Sequence, residues 1–165
     1  MVLTSINYAR LIMWLAVHRK GVWLNKTQLQ KILFACYGLY LARHNDRACD
    51  GMKKLFSDDS PRAWPFGPVF PRSYKRCYAA PESLLPEEKE AFARDENTLW
   101  GICSITDRMC MMSAAKLTRW SHQEGTPWSD TVFSDGGKLK WNAEISDTSI
   151  YEYFSNPEWK IGLTA

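Results

Sequence analysis

A chain of 165 residues is long enough to bury one hydrophobic core and short for two. Hydrophobic residues make up 45% of it and aromatics 13%, which excludes a disordered or low-complexity polypeptide. The net charge of +3 is unevenly placed, with nine Lys/Arg against two Asp between Met1 and Lys54 and six acids against two bases between Pro81 and Ile105, so the two regions carry different fields.

Ser5 is the expected N-cap of a first helix over Ile6 to Lys20, which Gly21 stops after the basic end His18-Arg19-Lys20. Ile6, Ala9, Ile12, Met13, Ala16 and Val17 form a core stripe on it, and Leu11, Trp14 and Leu15 widen that stripe. Its apolar stretch is far short of a membrane span, and no basic region with a cleavage signal accompanies it. No membrane helix and no secretory leader are therefore expected, and the expected location is cytoplasmic. Thr27-Gln28-Leu29-Gln30 fits a capping box that opens a second helix. Leu29, Ile32, Leu33, Cys36, Tyr37, Tyr40 and Leu41 then recur at helical spacing to His44, where Asn45-Asp46 breaks the run. Lys31, inside that run, reads as a side chain snorkelling at the edge of the core, since no sequence neighbour would depress its pKa.

Arg47 to Pro61 is a polar loop with one short extended piece at Lys54 to Phe56. A second short strand over Ala63 to Phe66 would pair with it around Ser57-Asp58-Asp59-Ser60, with Pro65 confining the second strand to an edge. In Arg62 to Pro71, three prolines and a glycine alternate with Trp64, Phe66 and Phe70, so the backbone there is stiff and bent. Pro71 suits the first turn of a short helix over Arg72 to Tyr78. Helix returns between Pro81 and Asp107, with Leu85-Pro86-Glu87-Glu88 as a first turn, its acids on a solvated face, and Phe92, Leu99, Ile102 and Ile105 inward. Ser113 caps a helix over Ala114 to Gln123, with Leu117 and Trp120 inward and His122 near its end. Gly125-Thr126-Pro127-Trp128 makes the turn out of it and folds Trp128 back. Asp135-Gly136-Gly137 is a further turn between Val132-Phe133 and Leu139-Lys140-Trp141. Ser146 caps a last helix, Asp147 to Phe154, and the tail from Ser155 is expected to be peripheral. The whole reads as mainly α, a compact single-domain helical fold of about five to seven helices with a small β-hairpin, spanning 1–165 with its core over about 5–155.

The chemistry-bearing residues are sparse. Five cysteines at irregular spacing, without a Cys-x-x-Cys pair, indicate neither a disulfide framework nor a zinc knuckle. His18, His44 and His122 are not paired at helical spacing, so no metal is expected, and the absence of nucleotide-loop, serine-elbow and paired-carboxylate motifs leaves no cofactor and no positive case for an enzyme. His122 and Glu124 come nearest to an acid–base pair. A structural hydrogen bond is the favoured reading of His122, and a thiol hydrolase using it is the less favoured one.

Three segments carry a resemblance. Leu29-Gln30-Lys31-Ile32-Leu33-Phe34-Ala35-Cys36-Tyr37-Gly38, then Ala63-Trp64-Pro65-Phe66-Gly67-Pro68-Val69, then Leu117 to Trp128 with its His122-Gln123-Glu124-Gly125-Thr126-Pro127-Trp128, resemble in content and order the signatures of the Panacea domain family, which includes SocA-like and phage-associated GepA-like proteins. The resemblance implies an antitoxin-like binding protein that neutralises a protein toxin by direct contact, with a cellular protease as a further partner if it acts as an adaptor. For such a role the expected contact residues are aromatic anchors with arginines at the rim. These are Tyr37, Trp64, Phe66, Val69 and Trp128, with Arg62 and Arg72 flanking them. The alternative is a phage or prophage regulator that binds nucleic acid through the basic N-terminal third, less favoured because the pI of about 8.6 falls short of a dedicated nucleic-acid domain.

Overall fold

The first helix, α1 (Ser5–Lys20), starts one residue earlier than the sequence pattern suggests, because Thr4 takes the capping role: its hydroxyl accepts from the Asn7 backbone amide while the side-chain Oδ1 of Asn7 accepts from the Thr4 backbone amide. Ser5 is buried instead, and donates from its amide (2.9 Å) and hydroxyl (3.1 Å) to the Asp58 carboxylate. Gly21 closes the helix at φ 66°, the left-handed conformation a glycine adopts without penalty. The computed structural model describes residues 1–76 and 83–164 of the chain.

The second helix, α2 (Lys26–His44), is likewise capped earlier than expected. Asn25 and Gln28 bond reciprocally at 2.8 and 3.0 Å, the same chemistry as the Thr27–Gln30 box two residues upstream of it. Residues 29–38 are buried without interruption, so this stretch of α2 is enclosed around its circumference and lies at the centre. It packs against α1 on one side and, on others, against α5 (Glu96–Met109), α6 (Ala114–His122) and α8 (Asp147–Ser155). The α2–α8 crossing is close because residue 38 is glycine: a Cβ there would overlap the Phe154 ring. Around the crossing Phe34, Tyr37, Phe56, Phe70 and Phe154 form a chain of tilted and edge-on ring contacts 5.1–6.4 Å apart.

The chain is mainly helical with one small antiparallel hairpin, and among the described residues there are eight α-helices and one 3-10 helix, more than the sequence reading counts. Three differences account for the excess. The segment expected to return to helix between Pro81 and Asp107 divides into α4 (Pro86–Ala93) and α5, since the Asp95 carboxylate accepts from the Thr98 amide and hydroxyl and so starts a new helix. The turn after Gly125 continues into α7 (Pro127–Val132), capped by Thr126 with Pro127 in the first turn. The tail is not peripheral: Pro157–Leu163 is a 3-10 helix that buries Trp159 and Leu163, and the Trp159 ring lies 4.9 Å from Phe154 and 6.1 Å from Trp120. Pro71 does open a helix, α3 (Pro71–Arg76); the end of the expected Arg72–Tyr78 helix and the segment from Pro81 to Glu82 lie outside the described residues.

Glu88 also departs from expectation. It is 1% exposed rather than on a solvated face, because α4 lies against α1 and brings the carboxylate to the Arg10 guanidinium (3.1 Å) and the Asn7 amide (3.0 Å). Among the described residues no helix is long and apolar enough to cross a membrane, and no group of three or more His, Cys, Asp or Glu is placed to hold a metal ion.

The helix crossing yields a test. Gly38→Ala forces the Phe154 ring out of the core and lowers stability by about 1–3 kcal/mol, the usual cost of overpacking. Urea denaturation with an unchanged midpoint would contradict this placement of α8.

Candidate functional site

The proline-rich stretch folds back on itself. Strand β1 (Arg62–Trp64) pairs antiparallel with β2 (Gly67–Val69), in the register Arg62↔Val69, Ala63↔Pro68 and Trp64↔Gly67, with Pro65-Phe66 as the two-residue turn. The hairpin expected around Ser57 to Ser60 does not form. Pro65 fits a turn, where its fixed φ helps and its missing N–H is not needed, better than a strand edge. Gly67 has φ 113°, and a Cβ on it would lie 2.5 Å from both Lys31 Cε and Ser121 Oγ, so both the backbone angle and the space require glycine.

Each face of this turn is fastened by a side chain from the helices beneath. Lys31 is fully buried, not at the core's edge, and its Nζ donates to the Pro68 carbonyl at 3.3 Å. Sequence neighbours gave no reason for this, because the enclosing atoms come from β2 and α6. Burial pushes the Lys31 amine down to about 7. Gln30 accepts from the Phe70 amide at 2.8 Å and donates to Ser73 Oγ at 3.1 Å. Trp128 donates from its indole to the Trp64 carbonyl at 2.7 Å, and its ring stacks on His122 with 3.8 Å between centroids and 10° between planes.

His122 completes the set. Burial lowers its pKa and the nearby Lys31 lowers it further, while a hydrogen bond to Pro65, which can only be the proline carbonyl accepting, works in the opposite direction. Its Nε2 is buried without a hydrogen-bond partner. Glu124 is exposed and makes no bond to it, so the two do not form an acid–base pair. The three segments that are far apart in sequence, at Gln30-Lys31, Trp64 to Phe70 and Ser121 to Trp128, thus meet at one place.

Above this support lies an apolar surface. Phe66, at the turn, is 69% exposed. Trp64 is half-buried, edge-on to Tyr74 of α3 at 5.1 Å, with its indole donating to Asn142 Oδ1 at 3.0 Å. Residues 142–145 run along the outer edge of β1, held by Asn142 N to Ala63 O (2.8 Å), Ala63 N to Ala143 O (2.9 Å) and Ile145 N to Pro61 O (3.0 Å). They bring Trp141 to 6.2 Å from the Trp128 ring, while Phe133 lies 6.3 Å from it on another side. Phe133, Leu139 and Trp141 are all about half exposed.

The structure divides the seven residues singled out in the sequence. Phe66 and Arg72 are exposed, and Arg62 and Trp64 are half-buried, with Arg62 donating to the Asn142 carbonyl at 3.1 Å. Tyr37, Val69 and Trp128 are buried, so their surface is used in packing: Tyr37 sits among Phe56 and Phe70 with its hydroxyl on Asp147 at 2.7 Å. Sequence reasoning did not select Phe133, Leu139 and Trp141. The signal was present as apolar residues on both sides of the Asp135-Gly136-Gly137 turn, where a solvated loop would be polar.

No family model matches this chain, and no solved structure matches it. Among curated proteins it is similar to Antitoxin SocA of Caulobacter vibrioides (strain NA1000 / CB15N), with 29% identity over 139 residues, covering 76% of this chain and 69% of the relative.

Lys31 makes the site sensitive to pH in a direction that follows from linkage. An unfolded lysine titrates near its ordinary 10.5 and the folded one near 7, so between those values the unfolded chain holds a proton that the folded chain lacks. Stability therefore rises with pH across that window, by at most about 1.4 kcal/mol per unit. His122, whose pKa is also lowered, adds a rise of the same sign only below its ordinary 6.5. In Lys31→Met the rise above neutrality is absent, which urea midpoints measured from about pH 7 to about pH 9 will show as a flatter profile than the wild type. Parallel profiles would mean that Lys31 is not buried as described.

Proposed function

We propose that this protein is an antitoxin-like binding protein that neutralises a protein toxin by direct contact, and that the hairpin turn with its flanking aromatics is the contact face. The similarity to an antitoxin supports the class of activity. The observation that carries the choice of face is Phe66: a phenylalanine exposed at the tip of a turn whose backbone is tied down by Lys31, His122 and Trp128. An aromatic held rigidly in water loses little freedom on binding and brings a large apolar area, the usual character of an interface anchor. Trp64, Phe133, Leu139 and Trp141 extend the apolar surface, and Arg62 and Arg72 stand at its margin.

The mechanism is occlusion. The partner's working surface is covered by a preformed aromatic face, and no bond is made or broken. Delivery of the bound toxin to a protease remains compatible with the same face and is distinguished by the fate of the toxin. Nucleic-acid binding through the N-terminal third is the weaker reading, because several of its cations are engaged internally. Arg10 pairs with Glu88, Arg19 with Asp107 and Lys54 with Asp147, and Lys31 is buried.

The test separates contact from packing. Phe66→Ala keeps stability within about 0.5 kcal/mol of wild type, as exposed positions do, and Trp141→Ala, which loses the ring contact with Trp128, costs about 0.5–1.5 kcal/mol and leaves the protein folded. Each is expected to weaken toxin binding at least about tenfold, whereas Trp128→Ala loses about 3–5 kcal/mol of stability. Co-expression with the product of the adjacent gene, first tested for toxicity alone, then scored by growth and by the mass of the purified complex, supplies the readout. A Phe66→Ala, Trp141→Ala double variant that rescues growth and co-purifies like the wild type would overturn the assignment of the face. A rescued culture in which the toxin disappears without a stable complex would replace occlusion with delivery.

A further inference from the structure

A groove between α2 and α5 shares no residue with the hairpin face. Its volume is about 540 Å³, the size of a small-molecule site. Leu39 and Tyr40 of α2 form one apolar wall, and Trp100 and Ile105 of α5 form the other. Trp100 is 68% exposed. The Tyr40 ring stacks on His44 at 3.8 Å and 14°, and the Nδ1 atom of His44 lies 3.0 Å from the Tyr40 carbonyl, so the pair makes a flat, fixed surface.

Among the described residues, Arg43 is the one Lys or Arg that lines this groove. Arg43 reaches across to α5 at the place where residue 101 is glycine, and a Cβ there would lie 2.9 Å from a guanidinium nitrogen. Arg43 makes no ion pair or hydrogen bond among the described residues, and no Asp or Glu lines the groove. Asp95, the acid that heads α5, has both carboxylate oxygens on Thr98, at 3.1 and 2.7 Å; its field reaches Tyr40 and His44, but it makes no ion pair with Arg43. The arginine fork is thus available to an outside anion, and a guanidinium matches a carboxylate in charge and in two-point geometry. A doubly charged phosphate would be left half neutralised, since a single arginine is present.

We propose that the groove between α2 and α5 is a binding site for a small aromatic carboxylate, with its carboxylate on Arg43 and its ring between Tyr40 and Trp100. The site is independent of toxin contact, and its test does not use a toxin. Calorimetric titration of 2-naphthoate into the full chain is compared with 2-naphthalenemethanol, which has the same ring without the charge. The acid is expected to bind with a Kd below about 1 mM and the alcohol more weakly. Arg43→Gln weakens the acid about tenfold or more and leaves the alcohol nearly unchanged, while Arg43→Lys, which keeps the charge and loses the fork, falls between. Trp100→Ala weakens both. Both side chains are exposed, and unchanged urea midpoints will verify that the variants fold. No heat of binding up to about 5 mM, equal binding of acid and alcohol, or indifference to Arg43→Gln or to Trp100→Ala would each overturn the proposal.

Discussion

The amine of Lys31 against the carbonyl of Pro68 is the contact on which the candidate face depends. Lys31 is buried in the central helix without an ion-pair partner among the described residues, and burial favours its uncharged form, so its hydrogen bond to the Pro68 carbonyl ties β2 to α2 at a smaller cost in buried charge than an ordinary lysine would carry. The arrangement requires Gly67, because the lysine stem and Ser121 occupy the space of a side chain there. It also requires the stretch of α2 around Lys31 to be fully enclosed, since an amine open to water would titrate as a surface lysine does. The hairpin consequently sits on the core rather than beside it.

The same logic explains why the aromatics fall into two populations. Those beneath the hairpin, including Tyr37, Phe70 and Trp128, are used to close the core and to present single polar atoms: the Tyr37 hydroxyl to Asp147 and the Trp128 indole to Trp64. Those above it pack on one side only, Trp141 and Phe133 against Trp128 and Trp64 against Tyr74, and keep part of their surface in water. Phe66 is carried outward by the turn. Trp141 is brought alongside by residues 142–145, which complete the outer edge of β1, and Phe133 by the end of α7. A rigid base with an apolar, exposed top is the form a binding surface takes when it is made before its partner arrives.

Much of the helical frame was legible locally. The stops at Gly21 and Asn45, the caps at Ser113 and Ser146 and the proline openings at Pro71 and Pro86 all act within one turn, so the residues concerned are neighbours in sequence. Where two capping candidates stood close together, as with Thr4 against Ser5 and Asn25 against Thr27, pattern alone chose the wrong one. The competing residue was claimed by a distant group in the case of Ser5, which Asp58 binds. The tail after Ser155 read as peripheral, and only α6 and α8 supply the surface that its Trp159 and Leu163 bury.

By itself, then, the sequence determined the helical class, the position of most helix ends and the bent, stiff character of Arg62 to Pro71, because each depends on backbone preferences and on hydrogen bonds between near neighbours. The tertiary structure alone decided the hairpin register, the burial of Lys31 and Glu88, and which of the aromatics face water. Burial depends on what lies on the far side of a residue, and for these residues that neighbour is supplied from dozens of positions away in the chain: Pro68 for Lys31, Arg10 for Glu88, Trp64 for Trp128.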